Sequence, residues 1–185
     1  MTQRSANGAR PLPGPYYTSD EIFSQEQERI FASRWICVGR SDKLDSPGDY
    51  LRKDFGRESA LIVRGPDNVY RAFHNLCRHR GTRLCDEHQG RFSGSIQCPY
   101  HAWTYSLEGR LIGAPHMRNV RTFNPEDYPL FPVAVQCWEG FLFLNLSPNP
   151  EAFESSFAPI LDRFQAWNLA RLRTGETTLD VYGWK

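Results

Sequence analysis

Neither sign of charge dominates this chain: its 185 residues hold 22 Lys and Arg against 21 Asp and Glu, a formal net charge of +1. Such a balance supplies no global field for a nucleic acid or an anionic membrane surface, so neither is expected as a partner. Long apolar runs are missing as well. A membrane-spanning helix needs about 20 consecutive apolar residues, and no stretch approaches that length. The start does not read as a leader either, because Met1-Thr2-Gln3-Arg4-Ser5 runs into a polar, proline-rich arm. A cytoplasmic location is the expectation. Cysteine is sparse and odd in number, five in all, which argues against the paired disulfide framework of a secreted domain. The length suits one domain with a proper core, or one domain and an incomplete part of another.

What is present is concentrated between Cys77 and His101. The chain reads Cys77-Arg78-His79, then eighteen residues, then Cys98-Pro99-Tyr100-His101, so that each half carries one thiol and one imidazole. Two cysteines and two histidines in this alternation suit a [2Fe–2S] centre in which the cysteines hold one iron and the histidines the other. Neutral imidazoles in place of two thiolates leave such a cluster less negative and easier to reduce than an all-cysteine one. The plainer readings are packing residues and a structural zinc site. Zinc has material here, since Cys85-Asp86-Glu87-His88 is itself C-x-x-H and precedes the second half at a finger-like distance. The cluster reading is preferred, with Cys77, His79, Cys98 and His101 as ligands and Cys85 and His88 outside the set.

Around this stretch the pattern divides the chain in three. Residues 1–34 should be an arm, loose to about residue 15, and then an amphipathic helix running to about Arg34. Thr18-Ser19-Asp20-Glu21 fits a capping box with Thr18 at the cap, and Ile22, Phe23, Ile30 and Phe31 recur at helical spacing as a buried stripe. Over 35–147 the signals are strands, among them Trp35 to Val38, Ala60 to Val63 and Phe141 to Leu144. Turns are expected at Gly65-Pro66-Asp67-Asn68, Ser93-Gly94, Leu107-Glu108-Gly109-Arg110 and Glu139-Gly140, each joining a pair of strands. Repeated hairpins mean a mainly β, antiparallel domain with flanking helices at both ends, and each ligand pair then falls in a loop at one end of the sheets. Over 148–185 a helix should open at Asn149-Pro150-Glu151 with Phe153, Phe157, Leu161, Phe164 and Trp167 on one stripe, kinked or divided by Pro159. A strand-like run, Leu179 to Lys185, follows.

Arg80-Gly81-Thr82 after the first half and Ala102-Trp103-Thr104-Tyr105 after the second add to the motif. The stretches CRHRGTRLC and CPYHAWTYSLEGRLIGAP resemble the Rieske domain of ring-hydroxylating and related Rieske non-haem iron oxygenases, and the likeness extends from Tyr16 onward, through Gly113 to Met117, Tyr128-Pro129-Leu130 and Trp138 to Phe141. It is strongest toward the α-subunit branch that includes glycine-betaine and choline-type monooxygenases. The resemblance implies a [2Fe–2S] electron relay, fed by a reductase or ferredoxin. It also implies a mononuclear Fe(II) held by two histidines and a carboxylate in a catalytic domain entered near Gly183-Trp184-Lys185, and a homotrimer in the full-length protein in which His101 faces an acidic residue of the neighbour.

That triad is not found in this sequence. The only pair at the family's His-x4-His separation is His74 and His79, and His79 is taken, while His74, His88 and His116 suit ordinary structural roles. The chain is expected to be the N-terminal part of such an oxygenase, passing electrons without activating oxygen by itself. A free-standing ferredoxin-type carrier and a zinc-binding interaction module are the alternatives. Respiratory Rieske proteins have a further cysteine in each loop, where this chain has Thr82 and Tyr100, and a serine hydroxyl on a sulfur where it has Trp103. Fewer hydrogen bonds to sulfur predict a potential low in the roughly −150 to +300 mV Rieske range. Arg78, Arg80 and Arg83 surround the first loop, either as solvated countercharge or as a docking patch for an acidic electron donor.

Overall fold

A computed structural model describes residues 11–175, and the strand-like run at Leu179 to Lys185 lies outside them. Two helical pieces come first, α1 (Pro15–Thr18) and α2 (Asp20–Glu26), the latter continuing as a wider turn over Gln27–Phe31. The cap of α2 is Ser19, not Thr18: Ser19 has extended backbone and its Oγ accepts the Ile22 N–H at 3.3 Å, while the Thr18 hydroxyl donates back to Gly14 O. A proline-started turn at Pro15 places Thr18 inside a helix, where it cannot cap the next one. The helical run stops at Phe31, short of Arg34. Its apolar stripe is not buried: Ile22 is half-covered, whereas Phe23, Ile30 and Phe31 are exposed.

Ten strands follow: β1 (Ile36–Arg40), β2 (Asp49–Phe55), β3 (Glu58–Arg64), β4 (Tyr70–His74), β5 (Gln89–Arg91), β6 (Ser95–Gln97), β7 (Thr104–Ser106), β8 (Leu111–Gly113), β9 (Pro132–Trp138) and β10 (Phe141–Asn145). They form a seven-stranded sheet, β1-β10-β9-β4-β3-β2-β5, and a three-stranded sheet, β6-β7-β8, with every pairing antiparallel. This is the mainly β, antiparallel arrangement that the repeated turns imply. Three of the four expected turns join hairpins, at 65–69, 107–110 and 139–140. At the last, Glu139 and Gly140 both have positive φ (48° and 79°), as a two-residue turn matched to strand twist requires. Ser93-Gly94 is different. It carries the chain from β5 at the edge of the large sheet to β6 in the small one, so its flanking strands do not pair. A turn is a local signal, but which strands pair across it is decided by distant partners. A further hairpin, β2–β3 through Gly56-Arg57, went unanticipated.

Central strand β3 shows why two layers of core exist. Leu61 and Val63 point into one cluster and Ala60 and Ile62 into another, all fully buried, as a period-2 strand covered on both faces requires. Burial of each of Leu61, Ile62 and Val63 is worth about 1.5–3 kcal/mol relative to exposure. The first cluster, with Tyr50, Phe73, Ile96, Trp103, Tyr105, Leu107 and Leu130, also contains Cys77 and Cys98. It therefore supplies the dry floor on which the ligand loops rest.

After the sheets, α3 (Phe153–Leu161) starts later than Asn149 and runs two residues past Pro159 before tightening into a narrower turn over Asp162–Trp167. Its stripe is only partly free. Phe153 is buried edge-on to Trp35 (centroids 5.4 Å), and Phe157 packs against Phe143 at 4.9 Å and stacks on Phe153. Phe164 and Trp167 remain exposed. Among the described residues no helix is long and apolar enough to cross a membrane.

Candidate metal centre

The two candidate ligand loops are built alike. In the first, following β4, Cys77 N–H donates to Thr82 O (2.8 Å) and Gly81 N–H to Cys77 O (2.9 Å). In the second, linking β6 to β7, Cys98 N–H donates to Trp103 O (2.8 Å) and Ala102 N–H to Cys98 O (3.1 Å). The fifth residue of each loop, Gly81 (φ 75°) or Ala102 (φ 56°), takes the left-handed conformation that turns the chain back. Each loop thus sends its cysteine inward and its histidine toward the rim.

Both thiols are 2 % exposed and lie within hydrogen-bond reach of each other. Burial pushes the Cys77 thiol up, opposed by the Tyr105 hydroxyl and the His79 backbone N–H, both directed at its sulfur, while Cys98 adds to the rise. Tyr105 Oη stands 3.3 Å from Cys77 Sγ. Two buried sulfurs side by side, with the Tyr105 hydroxyl and a backbone N–H directed at one of them, are suited to a bound metal that would take them as thiolates.

The imidazoles form the other pair. Rings of His79 and His101 are 4.7 Å apart at 73°, and both are half-buried. Trp103 stacks on His79 (4.8 Å, 11°) and Tyr100 leans on His101 at 3.9 Å. His79 Nδ1 is buried without a hydrogen-bond partner among the described residues. Such an orphan is costly unless something binds it. Burial first, then the neighbouring His101 and Arg80, hold the His79 pKa below its ordinary value, which favours the neutral ring a metal accepts.

These four groups stand as a thiol pair beside an imidazole pair. Among the described residues no three or more His, Cys, Asp or Glu side chains converge on one ion position, as a tetrahedral zinc needs. A binuclear [2Fe–2S] cluster asks only two protein ligands of each iron, and the residues present fit it. Cys85 and His88 are engaged elsewhere. Cys85 shares a hydrogen bond with Tyr50, whose pKa burial pushes up to about 12, and His88 Nδ1 is 3.2 Å from Arg52 Nη2. His74 pairs with Glu58 at 3.5 Å, and His116 sits exposed in a turn.

Two supporting residues, Tyr105 and Asn75, were not assigned roles from sequence, and a third, Arg78, has contacts the sequence did not suggest. Tyr105 brings a hydroxyl to Cys77, a contact separate from the serine hydroxyl whose place Trp103 takes; its signals were its place in the motif and its inward register in β7. Asn75, 2 % exposed, closes the first loop at its base. Its amide donates to Cys85 O (2.7 Å) and Ser59 Oγ (3.3 Å) and accepts from the N–H groups of Leu84 and Cys85. Arg78 is half-buried and engaged within its own chain, its guanidinium donating to the carbonyls of Asp127 and Pro129.

Comparison with known proteins follows the same lines. Residues 34–124 match the Rieske [2Fe-2S] domain. The carnitine monooxygenase oxygenase subunit of Acinetobacter baumannii is 40% identical over 152 residues, covering 82% of this chain and 41% of its own length. The glycine betaine monooxygenase oxygenase subunit of Pseudomonas aeruginosa is 32% identical over 184 residues, 98% of this chain and 42% of the relative. Among solved structures, the apo form of a quaternary ammonium Rieske monooxygenase superposes with a TM-score of 0.80 at 36% identity, over 86% of this chain and 47% of that one. Naphthalene 1,2-dioxygenase from Rhodococcus sp. gives 0.73 at 27% identity, over 79% and 34%. This chain therefore spans less than half the length of these relatives.

Proposed function

The chain is a Rieske [2Fe–2S] protein, homologous to the N-terminal part of Rieske oxygenase α subunits, and on that premise we propose that it relays single electrons from a reductase or ferredoxin toward a mononuclear iron held in an oxygenase catalytic domain. The resemblance to Rieske non-haem iron oxygenases implies that iron. The observation that carries the reading is the thiol pair set against the imidazole pair, with His79 Nδ1 buried and unpartnered. Cys77 and Cys98 would hold one iron and His79 and His101 the other, and the bound cluster would supply a one-electron store.

The chain's own residues shape that store. Burial of Cys77 and Cys98 keeps water from the sulfurs, and Tyr105 offers a hydrogen bond that stabilises added negative charge there. Arg80 and Arg83 are exposed, and neither forms a salt bridge among the described residues. Arg80 lies close enough to His79 for its charge to bear on that ring. Together they suit the approach of an acidic electron donor to the imidazole edge.

Relatives named for carnitine and glycine betaine match over 82% and 98% of this chain, which supports a quaternary ammonium compound as the substrate of the whole cytoplasmic protein. A related structure that bears on inter-subunit electron transfer supports delivery to a neighbouring copy; exit through His101 in a trimer is what the family resemblance implies. The test is anaerobic purification with EPR and a reductive titration. A red-brown protein taking up one electron per chain is expected, and a colourless protein holding zinc would return the assignment to an interaction module.

A further inference from the structure

Arg78 occupies the middle of the first ligand motif, between Cys77 and His79, and it makes contacts in two directions. Its side chain reaches away from the cysteine, Nη1 donating to Pro129 O (3.1 Å) and Nη2 to Asp127 O (3.3 Å). The guanidinium carbon lies 3.9 Å from the centroid of the Phe131 ring and 6.0 Å from that of Tyr128. Its backbone N–H points the other way, donating to Tyr105 Oη at 3.0 Å. A planar fork on two carbonyls with an aromatic face beneath it is a geometry that lysine does not reproduce.

The two directions are linked through the phenol. Tyr105 Oη accepts the Arg78 N–H, so its own hydrogen is free for the remaining neighbour, Cys77 Sγ at 3.3 Å. The amide therefore fixes both where the phenol sits and which way its hydrogen points. If the loop moved by a fraction of an ångström, that direction would be lost before any ligand left its place. The clamped segment also carries Tyr128, edge-on to Trp103 at 5.5 Å, and Trp103 is the ring stacked on His79. One side chain thus anchors the loop that bears a thiol ligand and an imidazole ligand.

We propose that Arg78 is a positioning residue for the redox centre: by clamping the first ligand loop to residues 127–131 it holds the Tyr105 hydroxyl on Cys77 and so raises the reduction potential. This rests on the [2Fe–2S] reading above. A hydrogen bond to sulfur stabilises the reduced, more negative state, so its loss lowers the potential.

The experiment is an EPR-monitored redox titration of the cluster-loaded chain in five further forms: Arg78→Lys, Arg78→Met, Phe131→Leu, Tyr105→Phe and the Arg78→Met/Tyr105→Phe double variant. All four single variants should shift to lower potential, and the double variant should match Tyr105→Phe alone, because the clamp acts through that phenol. Arg78→Lys separates position from charge, since it keeps the charge and loses the fork. Phe131 is 43% exposed, so its replacement reports on the clamp even if Arg78→Met fails to load a cluster. A wild-type potential in both Arg78→Lys and Phe131→Leu would overturn the proposal, as would a double variant equal to the sum of its singles. Lack of a [2Fe–2S] signal in the unmodified chain would instead sink the reading on which it rests.

Discussion

Ala102 occupies in the second ligand loop the left-handed position that Gly81 holds in the first, with φ of 56° and 75°. Both close the same pair of hydrogen bonds back to a candidate ligand cysteine, yet only one of them has the residue type the conformation favours. A left-handed residue with a Cβ costs roughly 1–2 kcal/mol, partly offset by the smaller entropy that alanine loses on folding. Ala102→Gly should therefore stabilise the protein by about 0.5–1 kcal/mol, read as a higher denaturant midpoint with an unchanged visible spectrum. Gly81→Ala should cost a similar amount, since a Cβ there would meet Leu76 Cδ1 at an ordinary 3.6 Å and strain alone would act.

Ligand identity is tested by a contrast between two cysteines. Cys98 is buried beside Cys77, whereas Cys85 is half-buried on Tyr50. Cys85→Ser should keep the visible and EPR signatures of the cluster, and Cys98→Ser should abolish them. The reverse pattern would remove Cys98 from the ligand set and bring the Cys85-His88 pair into it.

The four candidates, and the loops that hold them, were legible because a metal site demands particular residue types at short spacing. Hairpins at 65–69 and 139–140 were legible because left-handed turn positions select Gly and Asn. The Ser93-Gly94 passage between sheets was not, since β5 and β6 are three residues each, and β5 pairs far back with β2 while β6 pairs forward with β7. Nor was the burial of Phe153: its helical spacing announces an apolar face, but Trp35 and Phe143, which cover it, come from β1's approach and from β10. Roles for Tyr105, Asn75 and Arg78 depend on hydrogen bonds between residues 9 to 51 positions apart. No local pattern encodes those.

The edge of the large sheet carries a pH-dependent contribution. Asp49 in β2 accepts from Arg91 Nε in β5 at 2.6 Å across a paired register position. That hydrogen bond, ahead of the opposing effect of burial and the added Ser46 N–H, holds its carboxyl below the ordinary range. A lowered folded-state pKa means stability that is present above the unfolded carboxylate pKa and lost as pH falls through the folded one. Asp49→Asn should therefore lower the denaturant midpoint at neutral pH, and its deficit should shrink once the solution is acid enough to protonate the native carboxyl. A deficit unchanged between the two conditions would mean that the pair contributes by packing instead of charge.

The last expectation concerns the surfaces that the sheets leave bare. Phe153 and Phe157 lie on the β domain, but Trp167 is 68% exposed and Phe164 37%. On the N-terminal helical run, Phe23 is 59% exposed, Ile30 45% and Phe31 37%. Covering side chains of this size is worth about 1.5–3 kcal/mol each, and exposed apolar groups of this number mark an interaction site or an association hazard. Among the described residues nothing covers those faces, so copies of the 185-residue chain can pair through them. Sedimentation velocity should then show self-association that grows with concentration, and Trp167→Ser together with Phe23→Ser should reduce it without changing the cluster spectrum. The same preparation, given a competent reductase, should accept electrons yet form no product from a quaternary ammonium compound, because no three His, Cys, Asp or Glu of the described residues gather as a mononuclear iron would need. A chain that stays monomeric at every concentration would show that its exposed aromatics are tolerated singly. Product formation without a second protein would require a mononuclear site within this sequence.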